Sequence, residues 1–252
     1  MKTLILTEKP SVARDFATAL GVPGKRDGCI ENNEYLITWA LGHLVELCEP
    51  HEYDKKWKAW SLDTLPISPA SFRYKPISKT QKQFSIIRRI LKDNNFDRIV
   101  VATDAGREGE VIARTIFLTC GRPKEAAFFR FWSSLALTPQ VIHEGMNSLR
   151  PLADYDRLWK AGQSRQIADW LVGMNITRAA TVTMQDLFSV GRVQTAVLAL
   201  LVDRRREREA FKPQPYWLLA AQFSNEKGQW RGIWFKDKQT RFEKKEDAEK
   251  IA

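Results

Sequence analysis

Two carboxylates in the middle of the chain lie where a sheet-based ligand site would place them. Asp104 and Glu108 follow the apolar segment 98–102, which is typical of a short buried strand, and precede a segment with helical spacing. Side chains at the carboxyl end of a strand face the crevice in which α/β sheets bind ligands. Carboxylates there suit a hard cation such as Mg²⁺, and Arg107 supplies a charge for a phosphate. Taken alone, the segment equally fits a helix N-terminus that carries acids, which the helix dipole favours.

A second polar pair follows another strand segment at the start of the chain. Glu8 and Lys9 come directly after the apolar segment 3–7, and the proline after them suits the first turn of a helix. If the two strands are parallel in one sheet, both loops open on the same edge. Three carboxylates and a lysine then converge at a site suited to phosphate and not to a carbonyl or a thiol. The pattern predicts Mg²⁺ ligands at Glu8, Asp104 and Glu108, with Lys9 beside them.

The composition favours a polyanionic partner. The 252 residues carry a net charge of +10, and the sequence pI is near 9.6. Anionic membrane is the competing partner, but the sequence has no apolar run of about 18 residues and no signal-peptide pattern. We therefore expect nucleic acid and no membrane. Cys29, Cys48 and Cys120 form neither a CxxC pair nor a zinc pattern, which predicts reduced thiols in a cytoplasmic protein.

Strand and helix signals alternate over residues 1–150, which predicts an α/β fold built on a parallel, doubly wound sheet. The segment 50–80 interrupts this alternation. Within it, residues 53–60 interleave aromatic and basic side chains, a pattern that suits single-stranded nucleic acid. His43 follows the second strand segment, 33–40, and both a structural role and a role in proton transfer or phosphate contact stay open.

The chain changes character near Pro151. Residues 154–180 have helical spacing and predict one long helix or a broken pair, and residues 192–210 predict a further helix. Beyond residue 213, two alternating segments predict antiparallel strands, and the start of an amphipathic helix follows. We expect a sheet domain at 1–150, a helical segment at 151–212 and the start of another domain at 213–252.

The two acidic segments resemble the Toprim domain, whose marks are a Glu-Lys pair after the first strand and a later Asp-x-Asp-x-Glu stretch. The resemblance implies the Rossmann-like sheet of that domain, a Mg²⁺ site, and catalytic roles for Glu8 and Lys9. Gly106 stands where the stretch has its second Asp, as in some type IA topoisomerases of the topoisomerase III kind. With one carboxylate fewer, the site is expected to bind Mg²⁺ more weakly, or to hold one ion where others hold two.

Two later segments narrow the resemblance. Residues 168–179, ADWLVGMNITRA, and residues 187–195, LFSVGRVQT, are similar to the helical segment and the Ser-x-Gly-Arg-Val-Gln motif of type IA DNA topoisomerases. Primases, Toprim nucleases and type II topoisomerases lack both segments. The chain is thus identified as a member of the type IA family, most like bacterial topoisomerase III, over essentially its whole length.

The resemblance implies contact with a single DNA strand. Residues 189–194 would line the groove for that strand, with Arg192 on a phosphate. The residues expected to contact DNA are Trp60, Arg107, Trp170, Arg178, Ser189, Val190, Gly191, Arg192, Val193 and Gln194. The resemblance further implies a monomeric bacterial protein in the cytoplasm, at the nucleoid or on plasmids, with a helicase as an expected partner of the full enzyme.

The nucleophile of the family is missing from these residues. Type IA enzymes cut DNA with a tyrosine that precedes Arg-Thr or Arg-Ser, because the nucleophile needs an adjacent cation. The tyrosines of this chain are Tyr35, Tyr53, Tyr74, Tyr155 and Tyr216, and none has that context. We therefore expect the N-terminal part of an ATP-independent isomerase that breaks, passes and rejoins single DNA strands, a part that binds DNA and metal without cleaving. A Toprim nuclease that uses metal and water, and a non-catalytic DNA-binding module, remain the alternatives.

Overall fold

Strands and helices alternate along the first part of the chain, in the computed structural model that describes residues 2–93, 95–121, 123 and 125–252. The strands are β1 (Thr3–Thr7), β2 (Gly24–Arg26), β3 (Cys29–Glu31), β4 (Tyr35–Trp39), β5 (Val45–Leu47), β6 (Tyr74–Pro76), β7 (Arg98–Ala102), β8 (Ala127–Arg130), β9 (Arg150–Pro151), β10 (Ala220–Asn225) and β11 (Gly228–Ile233). The helices are α1 (Pro10–Ala19), α2 (Pro50–Tyr53), α3 (Gln81–Asp93), α4 (Arg107–Cys120), α5 (Pro139–Asn147), α6 (Asp156–Met184), α7 (Arg192–Ala210) and α8 (Lys245–Glu249).

The central sheet has the strand order β2-β3-β4-β1-β7-β8-β9. The four strands from β4 to β8 in this order are parallel, which confirms the predicted α/β fold. Antiparallel strands extend this parallel centre at both edges, where β2 and β3 form an antiparallel hairpin on one side and β9 pairs with β8 on the other. These edge strands are three residues long or shorter, too short to carry a readable alternation of apolar and polar residues.

Strand β1 is buried on both faces of the sheet. Leu4 and Leu6 face a core that includes side chains of α3 and α4, whereas Ile5 faces a second core with side chains of α1 and α5. Each such side chain contributes about 1.5–3 kcal/mol on burial. Helices on both faces therefore fix where β1 and β7 end, and these ends position the polar loops that follow them.

Helix α6 is one continuous helix of 29 residues, which decides between the two alternatives that the sequence left open. It packs closely against α4 at Gly162, where a Cβ atom would lie 2.6 Å from a Val111 methyl group. The excursion between β5 and β6 is tied to the same helix. The Asn175 side chain accepts from the Ile67 amide at 2.6 Å and donates to the Ile67 carbonyl oxygen at 2.9 Å.

The chain divides into two compact units, residues 1–195 and residues 196–252. The predicted boundary at 150 falls inside the first unit and the one at 212 inside the second. The second unit contains the antiparallel hairpin of β10 and β11, which confirms the predicted strand pair, although β10 begins at Ala220 instead of Tyr216.

Cys29, Cys48 and Cys120 are free thiols, and burial raises the pKa of Cys120 to about 12. In the part of the chain that the structure describes, we find no helix with the length and apolar character needed to cross a membrane.

Candidate active site

Glu8, Lys9 and Asp104 meet at the carboxyl edge of the central sheet. Strands β1 and β7 are parallel neighbours with Thr7 opposite Ala102, so the loops that follow them leave the sheet side by side. Lys9 Nζ donates to Asp104 Oδ2 at 2.9 Å and lies 3.9 Å from Glu8 Oε1. The Asp104 backbone amide donates to Glu8 Oε2 at 3.2 Å. The convergence predicted for these three residues is therefore present, while their roles stay predictions.

The electrostatics of this group favour an additional cation. Burial of the Glu8 carboxyl, followed by the charge of Asp104, raises the pKa of Glu8 above its usual value. The hydrogen bond to Asp104, together with its charge, raises the pKa of Lys9, so its ammonium stays protonated. Lys9 and Asp104 are about half exposed, whereas Glu8 is largely buried. The site thus holds a desolvated carboxylate beside a second one, with an exposed ammonium at its mouth.

Glu108 lies at the same edge but turns towards another partner. Its Oε1 atom is 2.5 Å from Nε2 of His43, so this carboxylate is engaged by the imidazole. His43 follows β4, which pairs with β1 on the side opposite to β7. The signal that could have placed His43 in the site was its position after a strand that neighbours β1.

The donor set suits a weakly held Mg²⁺ ion. Such an ion commonly takes one or two carboxylates and completes its shell with waters and substrate phosphates. Glu8 and Asp104 supply two adjacent carboxylates. Among the described residues, no group of three or more His, Cys, Asp or Glu side chains has a metal-holding arrangement. Glu108 therefore joins the other two only if it leaves His43, and the predicted set of three ligands stays a prediction.

Two glycines near the junction of the Asp104 loop with α4 differ in the space that surrounds them. Gly106 has extended backbone, with φ 173° and ψ 176°, and a Cβ atom there would meet nothing within 4 Å. An Asp side chain therefore fits at this position. A Cβ atom at Gly109 would lie 2.1 Å from the carbonyl oxygen of Asp104. Only glycine allows the first turn of α4 to approach the loop this closely.

Three of the residues predicted to contact DNA lie on the excursion and α6, and they differ in solvent exposure. Trp60 is 44% exposed, and the Arg178 guanidinium lies 5.2 Å from the centre of its ring. Arg178 itself is buried and donates from Nη1 to the Trp57 carbonyl oxygen at 2.6 Å. Trp170 packs edge-on against Tyr53 and Phe72. Arg178 and Trp170 thus hold the excursion against α6, and their contact with DNA stays a prediction.

Residues 189–194 form the connection between α6 and the start of α7. The Val190 amide donates to the Thr177 hydroxyl at 2.9 Å, and that hydroxyl donates to the Val190 carbonyl oxygen at 3.1 Å. Arg192 makes a two-pronged ion pair with Asp169, at 2.6 and 3.1 Å. This pair lowers the pKa of Asp169 below its usual value. The cation predicted for a phosphate is therefore engaged by a carboxylate.

The remaining residues predicted to contact DNA lie on the connection 189–194 and at the start of α4. The side chain of Gln194 reaches back to the Ser189 carbonyl oxygen at 3.4 Å, and Val193 is more than half exposed. Arg107 is exposed at the first residue of α4, next to the acidic loop. These residues are accessible from solvent, and their contact with DNA stays a prediction.

Models of two known families match successive parts of the chain. The family model of the Toprim domain matches residues 3–132, and the model named DNA topoisomerase matches residues 153–252. The chain belongs to the Toprim family. The interval between the two matches contains the boundary expected at residue 150.

Individual relatives agree with this assignment. The DNA topoisomerase 3 proteins of Staphylococcus aureus strains MRSA252 and USA300 are each 46% identical to the chain over 220 residues, which is 87% of the chain and 30% of each relative. The chain thus spans about a third of the length of the curated relatives that it matches. The full-length topoisomerase I of Thermotoga maritima has the same fold, with a TM-score of 0.60 and 24% identity over 98% of this chain and 37% of that one.

Proposed function

We propose that this chain binds a single DNA strand and holds one of its phosphates at Glu8, Lys9 and Asp104. The reaction to which this site contributes is the breakage, passage and rejoining of single DNA strands. The observation that carries the proposal is the ammonium of Lys9, exposed beside two carboxylates at the carboxyl edge of a Toprim sheet. The net charge of +10 supports a polyanionic substrate.

Each residue has a distinct part in this proposal. Lys9 donates to a phosphate oxygen, and its raised pKa keeps it charged across the neutral range. Glu8 and Asp104 hold Mg²⁺, which supplies positive charge beside the phosphate when it is bound. Arg107 is exposed one turn away and offers a further charge to the strand. None of the tyrosines in the 252 residues precedes Arg-Thr or Arg-Ser, so these residues alone bind DNA without forming a covalent adduct.

The path of the strand beyond the phosphate follows the exposed residues of the predicted set. Trp60 offers a partly exposed ring on which an unpaired base can stack. The connection 189–194 lies next to Asp169, which borders a cavity of about 290 Å³ that also contains His43 and Glu108. A strand that reaches the acidic edge therefore passes the Arg192 ion pair. A helicase partner, a monomeric state and association with the nucleoid are further parts of the proposal, drawn from the resemblance.

The decisive experiment compares Lys9→Ala with Lys92→Ala in binding to a labelled single-stranded oligonucleotide. Both substitutions remove one positive charge, but Lys92 is exposed in the last turn of α3, whose chain leads to the opposite edge of the sheet. Loss of one charged hydrogen bond is expected to weaken binding about tenfold in Lys9→Ala. The slope of log affinity against log salt should fall by about 0.7 in that variant. Equal affinities of the two variants would remove Lys9 from the DNA site.

Product analysis separates the proposal from a Toprim nuclease. After incubation with single-stranded DNA and Mg²⁺, the proposal expects intact DNA and no protein-linked DNA on a denaturing gel. Hydrolysed DNA that disappears in Asp104→Asn would assign the site to a metal-dependent nuclease. A denaturant-resistant adduct would show that a tyrosine within these residues is the nucleophile.

A further inference from the structure

Arg130 lies completely buried directly beneath the acidic edge. It is the last residue of β8, and its side chain has no exposed surface. Its guanidinium donates to the carbonyl oxygens of Val101 at 3.1 Å, Thr103 at 2.8 Å, Asp104 at 2.8 Å and Phe131 at 2.5 Å. All four of these acceptors are backbone carbonyl groups, and two of them belong to the loop that carries the Asp104 carboxylate.

The position of these two carbonyl groups explains why they need such a donor. Strand β7 ends at Ala102, so Thr103 and Asp104 lie beyond the ladder in which neighbouring strands supply amide donors. Buried backbone carbonyl groups without partners are costly, and the guanidinium replaces the missing strand. On its other side, the Asp104 carbonyl oxygen is crowded by Gly109. The backbone of Asp104 is therefore held from two directions.

The charge of Arg130 is balanced by a carboxylate that is also buried. Arg130 Nε donates to Glu110 Oε1 at 2.6 Å, and Arg114 Nε donates to Glu110 Oε2 at 3.0 Å. Arg114 continues to the Leu152 carbonyl oxygen and to Asp156 at the start of α6, both at 2.6 Å. A buried ion pair need not add net stability to the fold, so the presence of this one calls for another explanation.

We propose that Arg130 is a positioning residue, which fixes the backbone of Thr103 and Asp104 so that the Asp104 carboxylate faces Glu8 and Lys9. The inference deepens the proposed function, because the group that it positions is the candidate phosphate and metal site. Glu110 holds the guanidinium in place, while Arg114 fastens Glu110 to the start of α6. Among the described side chains of this network, Arg130 is the one that donates to the carbonyl oxygens of Thr103 and Asp104.

The experiment compares Arg130→Lys with Arg114→Lys. Both variants keep the positive charge next to Glu110 and lose the planar guanidinium, but only Arg130→Lys loses the donor to the Asp104 carbonyl oxygen. The readouts are the melting temperature, the hydrogen-exchange rate of the Asp104 amide, which donates to Glu8, and the affinity for Mg²⁺ alone. Exchange at Asp104 needs no metal, so it tests the inference even if the wild-type chain fails to bind Mg²⁺, a failure that would count only against the proposed function.

In Arg130→Lys we expect exchange of the Asp104 amide to accelerate about tenfold or more, and Mg²⁺ affinity to fall roughly tenfold to a hundredfold. In Arg114→Lys both quantities should stay within about twofold of the wild type, although both variants melt earlier. Equal exchange rates at Asp104 in the two variants would overturn the inference and leave Arg130 as a purely structural residue. Should Arg130→Lys fail to fold, the double variant Arg130→Gln with Glu110→Gln removes both buried charges, and the same exchange comparison then decides.

Discussion

Cations occur at both regions in which the sequence predicts contact with DNA, but only one of the two regions buries such a cation. At the carboxyl edge of the sheet, Lys9 is half exposed beside Glu8 and Asp104, and its ammonium reaches solvent. On α6 and the excursion packed against it, Arg178 is buried under Trp60, while Arg192 at the start of α7 is half exposed and paired with Asp169 of α6. A basic side chain therefore lies at the mouth of a candidate ligand site in one region, whereas in the other region Arg178 supports the fold from within.

The difference follows from how each region positions its side chains. Parallel strands end at one edge, and the residues that follow them open on the crevice in which α/β sheets bind ligands. No comparable rule fixes the side chains of a long helix that is covered by an irregular excursion. The cations there pair with the groups that happen to lie beside them. The first prediction concerns the most deeply buried of these cations.

Arg178→Ala should destabilise the first unit by about 3 kcal/mol. The substitution removes a buried side chain from beneath Trp60 and leaves the Trp57 carbonyl oxygen without its donor. The measurement is chemical denaturation of the variant beside Arg157→Ala, which removes the same charge from an exposed position on α6. Well below the melting temperature, both variants should bind single-stranded DNA with equal affinity. A variant that melts like the wild type but binds DNA tenfold more weakly would restore Arg178 to the DNA interface.

The sequence predicted the acidic edge because strand order and strand ends follow from apolar segments and the rules of parallel sheets. Glu8, Lys9 and Asp104 meet for that reason. It did not predict the support beneath them. Arg130 belongs to a short segment, and only the packed structure shows that its side chain turns inward to the carbonyl groups of the loop that follows β7. The pairing of Arg192 with Asp169 joins residues 23 positions apart on two helices, a contact that helical spacing does not encode.

Asp169→Asn should strengthen binding of single-stranded DNA by about twofold to fivefold at low salt. Asp169 competes with phosphate for the Arg192 guanidinium, and the amide releases it while keeping the side-chain volume. One more neutralised phosphate should steepen the dependence of log affinity on log salt by about 0.7. Asp15→Asn on the exposed face of α1 adds the same net charge and is the control. If both variants gain affinity equally, only net charge matters, and Arg192 takes no part in binding.

The smallest expected effect concerns the acidic edge without its ligands, where Glu8→Gln should raise the melting temperature at neutral pH. Burial and the charge of Asp104 raise the pKa of Glu8 in the folded chain above its unfolded value near 4.5. The folded state therefore binds this proton more tightly than the unfolded state, and the stability linked to it is present below pH 4.5 and lost as the pH rises. At pH 7 the ionised carboxylate costs stability that the amide avoids, while the amide oxygen still accepts from the Asp104 backbone.

The gain should vanish at about pH 3, where Glu8 is protonated in both states, and it should be absent from Glu34→Gln, which changes an exposed carboxylate in the turn between β3 and β4. Addition of Mg²⁺ should then stabilise the wild type more than Glu8→Gln, because only the wild type offers the second anionic ligand. A lower melting temperature of Glu8→Gln at pH 7 without metal would mean that the hydrogen bond and Lys9 outweigh the desolvation of Glu8. The acidic edge would then be an ion-pair cluster that is stable without a ligand, like the pair of Arg192 and Asp169. The contrast between the two regions would no longer hold.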